Sequence, residues 1–189
     1  KSSYNLGQTR RIKNLGLINF DHPLIEWENH DFHYLVLGKI IGVRDSYGAL
    51  KKANKTEIKN ILENGISQLN QIEGRFVVIR YSDESGIQIW TDNFGRVDVY
   101  IQKLGNNFFI ASAIDLLPLK SNADTEVDPI GMLQATYIYG GRPAKKHTTF
   151  KHISRLGVSE LLNIGMNKKL NLEKPPLSLD DNSRYDFSS

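Results

Sequence analysis

Phe76-Val77-Val78-Ile79, Asp83-Glu84-Ser85-Gly86 and Ile87-Gln88-Ile89-Trp90 are the run, break and run that decide the fold of this chain. Two apolar stretches of strand length bracket a cluster of turn formers, the pattern of an antiparallel hairpin. Phe76 to Ile79 carries no polar residue for a solvent face, so its sheet must be covered on both sides. Working outward, Asn93-Phe94-Gly95 and Gly105-Asn106-Asn107 set off Val97 to Ile101 and Phe108-Phe109-Ile110, which extend the hairpin into an antiparallel meander. Leu15 to Phe20 and Phe32 to Ile41 supply an earlier pair of strands. Val158 to Ile164 and Lys168 to Leu172 supply a late pair, joined by Gly165-Met166-Asn167.

Two helices have legible starts. Asn54 followed by Glu57 has capping-box spacing, and Ile58, Ile61, Leu62, Ile66 and Leu69 recur at helical spacing, predicting a helix over 55–69 with one buried face. Asp128 before Pro129 reads as an N-cap and first-turn proline, with Leu133, Tyr137 and Ile130 facing inward and a stop at Gly140-Gly141. The class is α+β. Strands buried on both faces are satisfied by two stacked antiparallel sheets with helices outside. No internal repeat or low-complexity segment interrupts this pattern.

The 189 residues are 40% hydrophobic and 24% charged, a globular composition that excludes a disordered or collagen-like chain. They contain no cysteine, which removes disulfides, zinc-thiolate sites, iron–sulfur clusters and thiol nucleophiles from these residues. A net charge of +3, without a long basic run, gives no argument for a nucleic-acid partner. Lys1-Ser2-Ser3-Tyr4-Asn5 opens no secretory leader and no stretch has the length of a membrane span, so the expectation is a cytoplasmic protein without a membrane partner. Lys174-Pro175-Pro176 and the polar residues after it divide the chain into a domain over 1–172 and a linker or tail over 173–189.

Three segments in consistent order resemble the N-terminal domain of asparagine synthetases: Gln71-Ile72-Glu73-Gly74-Arg75-Phe76-Val77-Val78-Ile79, Thr91-Asp92-Asn93-Phe94-Gly95-Arg96-Val97-Asp98-Val99-Tyr100, and Phe109-Ile110-Ala111-Ser112-Ala113-Ile114-Asp115-Leu116-Leu117. The family reads approximately L-x-G-x-F-A-F, R-D-R-F-G-x-K-P-L-Y and F-A-S-E-x-K-A-L there. Thr148-Thr149-Phe150-Lys151-His152-Ile153-Ser154-Arg155-Leu156 is similar to its T-L-F-K-x-I-x-R-L segment. Tyr34-Leu35-Val36-Leu37-Gly38-Lys39-Ile40 and Lys55-Thr56-Glu57-Ile58 are similar to its strand ending in N-G-E-I and its helix opening with D-T-E. The resemblance spans about residues 14–162. It implies a class II glutamine amidotransferase, an N-terminal-nucleophile hydrolase fold built as an αββα four-layer sandwich.

The chemistry that the resemblance implies is absent from the matching positions. The family's nucleophile is an N-terminal cysteine whose α-amino group acts as base. Its oxyanion-stabilising asparagine and glycine fall at Leu37 and Gly38, and a leucine donates no hydrogen bond. The aspartate that holds the glutamine α-ammonium falls at Lys55, a reversal of charge. The arginine that clamps the α-carboxylate falls at Asn14. Asp92 and Gly95 keep part of the family's turn and read as structural, whereas its arginine, lysine and proline fall at Thr91, Val97 and Asp98.

The remaining candidates each have a plainer reading. Ser2 would need Lys1 removed to serve as a terminal nucleophile, and neither base nor oxyanion donor accompanies it. His30 and His33 flank an acid but would point to opposite faces of a strand, which suits a polar turn better than a metal. Tyr139-Gly140-Gly141-Arg142-Pro143 lacks the serine and aspartate of a pyrophosphate-binding S-G-G-x-D-S loop. Arg142 with Lys145-Lys146-His147 suits a solvated loop. Lys51, Lys52, Lys55 and Lys59 crowd a helix start against its dipole, Lys55 either plugging the former substrate pocket or standing in solvent. Trp27 and Trp90 suit core packing.

The expectation is therefore a glutaminase-inactive amidotransferase-like domain. It would serve as a structural and docking partner of an ATP-dependent amide-forming synthetase, of the kind found in β-lactam synthetases and lasso-peptide cyclases. On this reading the synthetase domain, in the same or a partner chain, binds ATP and Mg, this chain carries no cofactor or metal, and a homodimer is possible. The alternative is a stand-alone module that reuses the glutamine pocket for another ligand.

Overall fold

The computed structural model describes residues 8–12, 15–19, 24–119, 126–138, 147–167 and 169–173. In chain order its elements are β1 (Gln8–Ile12), β2 (Leu15–Asn19), β3 (Leu24–Glu28), β4 (His33–Arg44), β5 (Leu50–Lys51), α1 (Lys55–Glu63), a 3₁₀ turn (Ile66–Gln71), β6 (Ile72–Ser82), β7 (Gly86–Thr91), β8 (Tyr100–Leu104), β9 (Asn107–Ala111), a second 3₁₀ turn (Ile114–Leu116), α2 (Pro129–Leu133) continuing as a π turn (Gln134–Ile138), β10 (Ile153–Arg155), β11 (Leu161–Ile164) and β12 (Leu170–Glu173). The class is α+β, and every strand pairing is antiparallel.

The larger sheet runs β12-β11-β7-β6-β4-β3, with β5 paired to β4, and a three-stranded sheet runs β10-β8-β9. In register across the large sheet, Val36, Val78, Trp90 and Leu161 form one row, and Leu35, Ile79, Ile89 and Leu162 form the next. The first row packs with Ile58, Ile61 and Leu62 of α1. The second packs with Val99, Ile101 and Leu156 beside the small sheet. Because successive side chains alternate faces, one sheet with two apolar faces fills two cores, one under the helix and one between the sheets. This is why Phe76 to Ile79 has no polar residue: Phe76 and Val78 serve the first core, Val77 and Ile79 the second.

The expected meander is broken. β6 and β7 belong to the large sheet, but after Thr91 the chain turns away and β8 and β9 build the small one. Nor do the two early strands pair with each other: β2 pairs β1, and β4 pairs β3, a strand the sequence reading missed. Val158 and Ser159 form a turn before β11 rather than its start, with Ser159 at φ 55°.

α1 begins as the sequence predicts. The Asn54 side chain accepts the Glu57 N–H at 2.9 Å while the Glu57 carboxylate accepts the Asn54 N–H at 3.2 Å. It ends at Glu63, however, and Leu69 reaches the same core from the separate 3₁₀ turn. α2 is capped by Asp128, whose carboxylate accepts the Ile130 N–H at 3.0 Å, but its faces are reversed from expectation. Ile130, Leu133 and Tyr137 are exposed, and Gly131 and Ala135 turn inward. A Cβ on Gly131 would stand 2.0 Å from the Thr148 carbonyl oxygen. The helix lies so close to that backbone at Gly131 that no side chain fits there. Its expected stop at Gly140-Gly141, the Arg142 and Lys145-Lys146 cluster, Ser2 and residues 174–189 of the linker or tail expected over 173–189 lie outside the described residues, while Glu173 ends β12.

Candidate functional site

Leu37 and Gly38 sit mid-strand on β4. Leu37 stands in register between Leu24 of β3 and Val77 of β6, and its side chain packs into the core between the sheets. Gly38 has φ +114°, and a Cβ there would meet the Arg75 carbonyl oxygen at 2.4 Å. Backbone geometry alone therefore demands glycine at 38. The residue before it, where the family resemblance calls for an amide donor, is a half-buried leucine packed against the inter-sheet core.

Lys55 is the first residue of α1 and is exposed. α1 covers the face of the large sheet opposite to Leu37. It also follows β5, which pairs Val43 and Arg44. Six residues of extended strand separate Leu37 from Val43, about 20 Å. The structure does not bring Leu37 and Lys55 together, and an exposed Lys55 matches the solvent-facing reading of that residue. Nearby, Lys51 Nζ lies 2.9 Å from Glu57, a contact that holds the Glu57 carboxyl below its ordinary value, helped by the Asn54 N–H, and raises the ammonium of Lys51. Asn14 lies outside the described residues.

The Asp92 turn is a closed hydrogen-bonded unit. Asp92 is 2% exposed; its two carboxylate oxygens accept the N–H groups of Phe94 and Arg96, each at 3.1 Å, and its carbonyl accepts the Gly95 N–H at 2.8 Å. Gly95 has φ 55°. Arg96 leans back over the turn, donating to the Gly74 carbonyl at 3.0 Å and lying 3.8 Å from Glu73, which Arg44 also engages at 2.8 Å. This turn carries the chain from the large sheet to the small one, so the aspartate fixes the crossover.

The Thr148 to Leu156 segment is likewise built inward. Thr148 Oγ1 accepts the Phe150 N–H at 3.0 Å and donates to the Ile153 carbonyl at 2.6 Å. Arg155 is buried and lies 3.5 Å from Asp98, which Tyr100 also contacts at 3.4 Å. Burial first, and the Asp98 charge second, push the Tyr100 phenol above its ordinary value. His33 bridges two glutamates, with Nε2 2.9 Å from Glu26 and Nδ1 2.5 Å from Glu28, whereas His30 is exposed. Trp27 stacks on Tyr34 at 4.7 Å and donates to Glu63 at 2.8 Å.

One concavity escaped the sequence reading. A cleft of about 550 Å³ is lined by Ile101, Lys103, Phe108, Ser154, Lys169 and Leu170, among others. Its only signal in the sequence is the alternation in Tyr100–Leu104, which puts Lys103 on the same face as the core residue Ile101.

No family model matches this chain, and no curated protein matches it either. Among the described residues no helix is long and apolar enough to cross a membrane.

Proposed function

We propose that this chain is a class II glutamine amidotransferase-like domain that has kept the fold and lost the glutaminase, serving as the docking half of an ATP-dependent amide-forming ligase. The carrying observation is the pair Leu37-Gly38. Gly38 is required by φ +114° and the Arg75 carbonyl, while Leu37, at the position that the resemblance assigns to an oxyanion donor, is a half-buried apolar residue packed against the inter-sheet core. A sequence under selection for the fold alone keeps the first and releases the second. The stacked antiparallel sheets with α1 outside support this reading, since they match three of the four layers that an αββα sandwich requires. Burial of Ile153 and Gln102, on the strand face turned away from the large sheet, supports a fourth cover.

The docking role rests on α2 and the π turn after it. Ile130, Met132, Leu133, Tyr137 and Ile138 are all exposed on one short element, an apolar display that a soluble surface seldom carries without a partner. ATP and Mg belong to the synthetase half in this reading. Calorimetry of the full-length ligase tests it: Leu133→Glu with Tyr137→Glu should split one cooperative transition into two or lower the first by several degrees. An unchanged melting profile counts against docking through α2.

A further inference from the structure

The cleft beside β8 has the make-up of a ligand site and lies away from the former glutamine position. Ile101 and Lys103 share the face of β8 that is turned to the large sheet, Ser154 stands opposite Ile101, and Phe108 stands opposite Lys103. Leu170, the first residue of β12, closes the cleft from the large sheet. β12 is four strands from β4 in the sheet order, which at about 4.8 Å per strand puts the Leu170 wall of the cleft roughly 19 Å from the strand that carries Leu37. The cleft therefore lies apart from the Leu37-Gly38 position.

Its chemistry is divided cleanly. Ile101, Phe108 and Leu170 supply an apolar floor continuous with the inter-sheet core. Lys103 and Lys169 supply two ammonium groups, and among the described residues neither has an ion pair; Lys103 only leans 5.7 Å over the Phe108 ring. The nearby acid, Glu126, is already engaged by Lys151 and by His152 at 3.5 Å, and the Lys151 contact holds its carboxyl below the ordinary value. Asn167 spends its carbonyl on the Lys169 N–H at 3.0 Å, so the amide group it has left is a donor. Ser154 adds a hydroxyl. Uncompensated cations and donors over an apolar floor call for an anion with an apolar body. Two cations together match a dianion better than a carboxylate. The volume falls within the usual range for small-molecule sites.

We propose that this cleft binds an organic phosphate monoester, its phosphate held between Lys103 and Lys169 and its apolar or aromatic body on Ile101, Phe108 and Leu170. This site is independent of the amidotransferase-like reading, which stands if the cleft proves empty of function. The test is amide-resolved NMR titration of the 189-residue chain with phenyl phosphate, and in parallel with inorganic phosphate, benzoate and benzyl alcohol. Phenyl phosphate should shift the amides of Ile101, Lys103, Phe108, Ser154, Lys169 and Leu170 saturably. Each of the other three probes should bind at least about tenfold more weakly, the loss of one charge-assisted contact or of the ring. Lys103→Gln with Lys169→Gln, both at exposed positions, should weaken phenyl phosphate by at least about tenfold while leaving the remaining spectrum in place. The proposal is overturned by no saturable shift, by shifts centred on α2, by benzoate or inorganic phosphate binding as tightly as phenyl phosphate, or by unchanged affinity in the double variant.

Discussion

Replacing Leu37 by Asn restores, in one step, the amide that the family resemblance places before Gly38. If the position still faced a polar, solvent-filled site, the change would be tolerated. The structure argues otherwise, because Leu37 packs into the inter-sheet core between Leu24 and Val77. Removing a partly buried leucine forfeits about 1 kcal/mol of transfer free energy, and placing an unpartnered amide there adds about 1–3 kcal/mol. The expected loss is about 2–4 kcal/mol in total. With a urea slope of about 2 kcal/mol per molar, the unfolding midpoint should fall by about 1–2 M. Leu37→Met, which conserves volume and polarity, should cost less than about 1.5 kcal/mol and separates polarity from shape. A Leu37→Asn midpoint within about 0.2 M of the parent would refute the reasoning, since it would show that residue 37 lies in a wet site.

Gly38→Ala should abolish soluble expression or lower the melting temperature severely, because its methyl would overlap the Arg75 carbonyl and the backbone has φ +114°. Lys55→Ala should leave the thermal midpoint unchanged or slightly raised, since it removes an exposed cation from the positive end of the α1 dipole; a clear drop would revive the plug. The carboxyl of Glu57 is held below its ordinary value by Lys51 and Asn54, so it contributes stability that is present above its unfolded pKa and lost as pH falls through the lower folded one. Glu57→Gln should therefore flatten the acid limb of a stability-versus-pH curve below about pH 4.5, read by urea titration at successive pH values.

The parts of the fold carried by local chemistry were legible. The Asn54 and Glu57 box and the Asp128-Pro129 cap need only neighbouring residues, and both helices start where those residues stand. Asn64-Gly65 was the overlooked stop of α1: Ile66 and Leu69 continue the apolar spacing, but Leu69 meets the core from a different turn. The inward face of α2 was misread because size gave way to clearance. Large apolar residues on one helix face ordinarily mark the core, but here the Thr148 backbone is close enough to exclude any side chain at Gly131, and Ala135 is the other residue buried on that element. Strand partners were less legible, because pairing is set by distant residues. β7 and β8 look like neighbours in sequence, and only the Asp92 turn, with its two backbone N–H groups on one buried carboxylate, sends them to different sheets. Lys103 and Lys169 are 66 positions apart in sequence and share a cleft only because the two sheets stack.

The proposed loss of glutamine chemistry is tested most directly by offering the substrate. The chain is incubated with glutamine, ammonia release is followed, and intact mass is recorded after treatment with a glutamine-directed electrophile. The account predicts ammonia release no faster than buffer and an unchanged mass. Catalytic ammonia release, or a stoichiometric mass increase mapped to one residue, would contradict it.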